Sequence, residues 1–201
     1  TKTVLLNRFD ALGRVIVTID SSASVISSIK YDYDNAGRII QIQNIVTDPA
    51  SDFNQTETHQ WFYSISGKPD RMYRIINTGS AIPDSLEIRF ILDENGNLGE
   101  ERTYRRGLET GYLYYYYDEK NRLTDIVRYN TKLKKLLPDV MFEYNDNDYV
   151  IQKLTPTSNS NLGYLIWRYV FDAKGLKTKE ALFNVDKQMT GKIEYNYTFN
   201  S

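Results

Sequence analysis

The strongest constraint on this chain is a short arrangement that keeps returning: an aromatic residue, an Asp or close substitute, two free positions and a Gly. It is fullest at Tyr33-Asp34-Asn35-Ala36-Gly37-Arg38-Ile39 and returns at Phe9-Asp10-Ala11-Leu12-Gly13-Arg14-Val15, Tyr117-Asp118-Glu119-Lys120-Asn121-Arg122-Leu123 and Phe171-Asp172-Ala173-Lys174-Gly175. Looser copies stand at Leu92-Asp93-Glu94-Asn95-Gly96, Tyr63-Ser64-Ile65-Ser66-Gly67-Lys68 and Tyr144-Asn145-Asp146-Asn147-Asp148. The anchors before the turn openers are residues 9, 33, 63, 92, 117, 144 and 171, with Tyr197 as an eighth, so successive spacings stay between 24 and 30. A period of that size marks a repeat built from one supersecondary unit. The unit is a hairpin. Asp, Asn or Ser opening a type I turn accepts from the backbone N–H two residues on, and the residue three after the opener must take positive φ to return the chain. Those positions hold Gly13, Gly37, Gly67, Gly96, Asn121, Asp148 and Gly175, all residues that tolerate left-handed backbone.

The Tyr-Asp-x-x-Gly-Arg pattern of Tyr33 to Ile39, with its copies at Phe9 to Val15 and Tyr117 to Leu123, resembles the YD repeat of the Rhs proteins and related toxin shells. The resemblance implies long antiparallel sheets that spiral into a hollow shell, in a protein exported or displayed at the cell surface of a bacterium.

Strands follow from alternation. Ile29, Tyr31 and Tyr33 share a face, as do Trp61 and Tyr63, Leu86, Ile88 and Phe90, Phe142 and Tyr144, and Trp167, Tyr169 and Phe171. Seventeen Tyr, eight Phe and two Trp suit a pleated, half-buried surface. The expectation is one all-β domain over residues 1–201, an antiparallel meander of repeated hairpins with about 14–16 strands. With no convincing helix to cover an apolar face, the sheet should curl into a barrel-like, spiral or folded-over form around a tyrosine-rich stripe. Individual loops are expected at 20–24, 44–58, 77–85, 105–111, 130–138, 155–163 and 184–191, with one short helical turn over 132–137.

The 25 basic and 26 acidic residues nearly cancel, which removes the general electrostatic case for nucleic acid. No Cys is present, so disulfides and thiolate metal sites are excluded. No run approaches eighteen apolar residues, and sixteen barrel strands of about 9–11 residues would leave no room for the expected loops, so the chain reads as not transmembrane.

Residues that could carry chemistry are few. His59 is the only histidine and reads as a solvated strand-end residue. No Ser sits in a Gly-x-Ser-x-Gly elbow, and neighbouring acids such as Glu100 and Glu101 point to opposite faces of a strand. The loop opened by Asp32 and Asp34 fails as a calcium site, with Ala36 at the fifth position and Gln43 at the twelfth. Asp10, Asp34, Asp93, Asp118 and Asp172 are therefore turn residues, and Arg14, Arg38, Lys68 and Arg122 a screened ladder beside them. The expectation is a non-enzymatic interaction scaffold with no cofactor or metal, its partner a protein or glycan, either monomeric or a weak edge-to-edge dimer. The alternative is a carbohydrate-binding or other ligand-binding module in which Trp61, Tyr63, Trp167 and Tyr169 stack on the ligand, although alternation puts the same residues on the packed stripe.

Overall fold

The computed structural model describes residues 5–21, 24–51, 53–79, 82–157 and 163–199. The protein is all-β. Its fifteen strands are β1 (Leu5–Phe9), β2 (Val15–Asp20), β3 (Ile26–Tyr33), β4 (Ile39–Thr47), β5 (Asn54–Tyr63), β6 (Pro69–Asn77), β7 (Asp84–Leu92), β8 (Leu98–Arg105), β9 (Leu108–Tyr117), β10 (Leu123–Asn130), β11 (Lys135–Tyr144), β12 (Val150–Pro156), β13 (Tyr164–Phe171), β14 (Lys177–Phe183) and β15 (Met189–Glu194). They form a meander whose order follows the sequence, so β1 and β15 each have a single neighbour. The chain divides into two compact units, residues 1–96 with 101–110, and residues 97–100 with 111–201.

Every repeat is a hairpin with one geometry. Gly13, Gly37, Gly67, Gly96 and Gly175 have φ between 76° and 82°, while Asn121 and Asp148 have φ of 66° and 63°. In each turn the fourth residue's amide donates to the opener's carbonyl, as Gly37 N–H does to Asp34 at 3.0 Å. The opener's carboxylate accepts again from the residue two on, as from Ala36 at 2.9 Å and Lys120 at 2.9 Å. The register slips by one at Tyr33, Tyr63, Tyr144 and Phe171, the bulge that positive φ produces at a strand entrance.

The opposite ends are tighter than their composition implied. The polar residues of 44–58 belong mostly to β4 and β5, and 130–138 narrows to a four-residue turn over 131–134. Arg105 to Gly111 narrows to a two-residue connection, Arg106-Gly107, with φ of 53° and 76°. The helical turn expected over 132–137 is a turn leading into β11, and Pro138 sits opposite Val127 at a register shift, where a missing N–H is tolerated. Parts of the connections at 20–24, 77–85 and 155–163 lie outside the described residues.

Within each unit, strands approach only their sequence neighbours. Among the described residues only Met72 and Ala181 are buried; the anchors Tyr33, Tyr63, Tyr117, Tyr144 and Phe171 are half-buried, while Phe9 and Tyr197, near the two ends of the sheet, are exposed.

Candidate functional site

The residue following each positive-φ position is the hub of the repeat. Arg38 donates from Nε to Asp34 Oδ2 of its own turn at 2.7 Å, while its backbone N–H meets Asp34 Oδ1 at 2.9 Å. Its guanidinium lies 4.5 Å from the ring centre of Tyr63, the anchor of the next hairpin, and Tyr63 OH returns to the carbonyl of Ile39 at 2.6 Å. Arg14 with Asp10 and Tyr33, and Arg122 with Asp118 and Tyr144, repeat this arrangement. The Arg14 and Arg38 amides, followed by the guanidiniums, hold the Asp10 and Asp34 carboxyls below the usual range; at Asp118 the Arg122 guanidinium leads. Burial pushes the Tyr63 and Tyr144 phenols up.

The hub also reaches the positive-φ residue of the following turn, and the two positions change together. A Cβ on Gly37 would meet Arg14 Nη1 at 3.5 Å, and one on Gly67 would meet Arg38 Nη1 at 3.3 Å. Lys68 Nζ donates to the Gly96 carbonyl. Where Asp148 replaces Gly, Arg122 Nη1 pairs with it at 2.6 Å. Where Asn121 replaces Gly, the hub is Asn97, whose Nδ2 donates to Asn121 Oδ1 at 2.6 Å. Where Tyr149 replaces Arg, the next anchor is Phe171, stacked at 4.8 Å, and the Tyr149 hydroxyl lies against Gly175. Gly13 has no such neighbour among the described residues. At Gly67 and Gly175 an added Cβ would crowd Arg38 or Tyr149, so Gly there leaves room for the preceding side chain as well as relieving backbone strain; at Gly37 the contact is ordinary and positive φ is what calls for Gly. Reading the arginines as a solvated ladder missed this; the Asn97–Asn121 and Tyr149–Phe171 exchanges were the available signal.

The aromatic residues named from sequence fall in separate units. Trp61 stacks on Phe90 with ring centres 5.5 Å apart and planes 5° off parallel, and its buried indole N–H meets no acceptor among the described residues. Tyr63 is occupied by Arg38 and Ile39. On the same face Glu57 accepts from Arg74 Nε at 2.7 Å and contacts His59 Nε2 at 2.7 Å. The Arg74 hydrogen bonds, with a smaller one from His59, pull the Glu57 carboxyl down to about 2 against opposing desolvation. A hollow of about 300 Å³ opens beside this pair, lined by Ile29, Tyr31, Ile42 and Asn44.

In the second unit Trp167 lines a hollow of about 250 Å³ with Glu180, Leu182 and Gly191. The Lys177 ammonium pairs with Glu180 at 2.5 Å and lies 5.5 Å from the Tyr169 ring and 4.7 Å from the Tyr195 ring. Burial, reinforced by the Glu180 charge, raises the Tyr169 phenol. A further hollow of about 340 Å³ is lined by Phe142, Val150, Lys153, Tyr169, Phe171 and Lys177. Among the described residues no three His, Asp or Glu side chains gather to hold a metal ion. No helix there is long and apolar enough to cross a membrane.

No family model matches the sequence, and no curated protein is similar to it in sequence. The chain is similar to several solved structures at low identity. The Photorhabdus luminescens Tc holotoxin pore, in a form carrying a TccC3 mutation, matches 94% of this chain at 18% identity with a TM-score of 0.46. The TcdB2-TccC3-TEV structure matches 96% at 16% identity and 0.45. A porin-like protein from Bacteroides uniformis matches 89% of this chain and 86% of its own at 10% identity and 0.39. The chain spans 9% and 10% of the lengths of the two toxin chains.

Proposed function

We propose that this chain is a non-enzymatic interaction scaffold of an exported or cell-surface bacterial protein. The observation that carries this reading is the use of the motif residues: the Asp, Arg and Tyr of successive repeats are committed to holding hairpin to hairpin, as in Asp34, Arg38 and Tyr63. Residue types able to do chemistry are thereby spent on construction, and the product is an ordered sheet with half-exposed faces on which a protein or glycan can dock. The export assignment is supported by the YD-repeat resemblance. The edges open to strand pairing with a second copy are β1 and β15.

Fractionation of the source bacterium, with protease treatment of intact cells, tests the assignment. The protein is expected in the envelope or medium; retention in the cytoplasm overturns it. A ligand-binding module is the second reading, favoured by the hollow beside Trp167. Acrylamide quenching of Trp emission against a glycan panel separates the two: protection of Trp167 by a sugar favours the module, and unchanged quenching favours the scaffold.

A further inference from the structure

Lys153 is the one residue of the second unit's aromatic hollow whose chemistry the repeat does not explain. It lies mid-strand in β12, directly opposite Phe142 on β11 and Trp167 on β13, so its ammonium leaves the sheet on the aromatic face. Its side chain makes no hydrogen bond, ion pair or ring contact among the described residues, although it is half-buried. The other cation of the hollow, Lys177, is already neutralised by Glu180. One positive charge therefore stands unbalanced in a hollow of about 340 Å³ whose remaining walls are Phe142, Val150, Tyr169 and Phe171.

An unpaired ammonium whose stem lies half-buried among rings gains most from an anion that brings its own apolar surface, since the rings then lose water while the charge finds a partner. The volume falls in the range of small-molecule sites. We infer that this hollow binds a small aromatic acid, a carboxylate or sulfonate carried on a planar ring, with the anionic head on Lys153 and the ring against Phe142 and Phe171. The site does not depend on the scaffold reading: its charge comes from Lys153, which no hairpin staple uses, and Phe171 enters with the part of its ring that Tyr149 does not cover.

The test uses the intact chain and the fluorescent probe 1-anilinonaphthalene-8-sulfonate. Saturable binding at one equivalent is expected, with affinity falling as salt is raised. The uncharged analogue N-phenyl-1-naphthylamine should bind at least about tenfold more weakly, which needs no variant and so no assumption about folding. Lys153→Met keeps the hydrocarbon stem and should lose a similar factor, while Lys153→Arg retains binding. Equal affinity for the neutral analogue, or sulfonate binding by Lys153→Met as tight as by the parent, overturns the assignment. So does a non-saturable response, which would mean general adsorption to the sheet.

Discussion

At Arg38 the ion pair is only one part of what the side chain does. A partly exposed pair is worth a few tenths to about 1 kcal/mol, and a cation over a ring at an exposed site adds a similar amount. Arg38 makes both and closes the gap over Gly67, so removing it should loosen two hairpins at once. Arg38→Ala is expected to cost about 1–2 kcal/mol in urea unfolding, and Arg38→Lys nearly as much, because an ammonium cannot reproduce the guanidinium's planar stacking. Tyr63→Phe isolates the hydroxyl bond to Ile39 and should cost about 0.5–1.5 kcal/mol. Gly37→Val, at φ of +81°, should cost about 1–2 kcal/mol through left-handed backbone. Acid stability isolates Glu57 in the same way. Its folded carboxyl is held at about 2 against an ordinary 4.5, so the unfolded chain binds more protons between these values and stability rises with pH. The contribution is complete above pH 4.5 and is lost as pH falls towards 2. The urea midpoint should drop less between pH 5 and 3 in Glu57→Gln than in the parent; an identical drop would show that Arg74 does not hold this carboxylate.

Between hairpins, the informative quantity is coupling. Asn97 with Asn121 and Arg122 with Asp148 occupy the same two structural positions that Arg14 and Gly37 occupy elsewhere. If the two positions form one interaction, Asn97→Arg and Asn121→Gly should each be neutral to destabilising alone and recover together. Their double-mutant cycle should give about 0.5–1 kcal/mol of favourable coupling, and strict additivity would mean that the turns are merely adjacent. The hairpins themselves could be read from the chain because each turn carries its own local cause, an opener with a side-chain acceptor and a residue fit for positive φ. Strand lengths could not. Asn54, Thr56 and Thr58 lie in the stretch expected to be loop, yet they belong to β5 and pair with β4. Trp61 and Tyr63 were placed on the aromatic face by alternation alone, whereas Glu57 with Arg74 depended on a cross-strand register that only pairing reveals. Lys153 gave no signal, since nothing in its neighbourhood in sequence distinguishes it from a solvent-facing lysine.

Over the chain as a whole, neither unit has a shared centre, among the described residues, through which distant strands can support one another. Within each unit strands meet only their sequence neighbours, and among the described residues only Met72 and Ala181 are buried. Stability should then behave as a sum of hairpin terms and nearest-neighbour terms, as in other repeat architectures. The edge strands differ from interior ones in lacking one neighbour: all five residues of β1 are exposed, and five of the six in β15. Their amides should open by local fraying, while those of interior strands such as β5 and β13 require two ladders to break. Native-state hydrogen exchange with increasing urea should show opening free energies rising from β1 and from β15 towards the interior strands of the respective units, with a spread of at least about 2 kcal/mol. Convergence of all fifteen strands on a single opening free energy would contradict this, because it would require a cooperative core that the neighbour-only contacts do not supply.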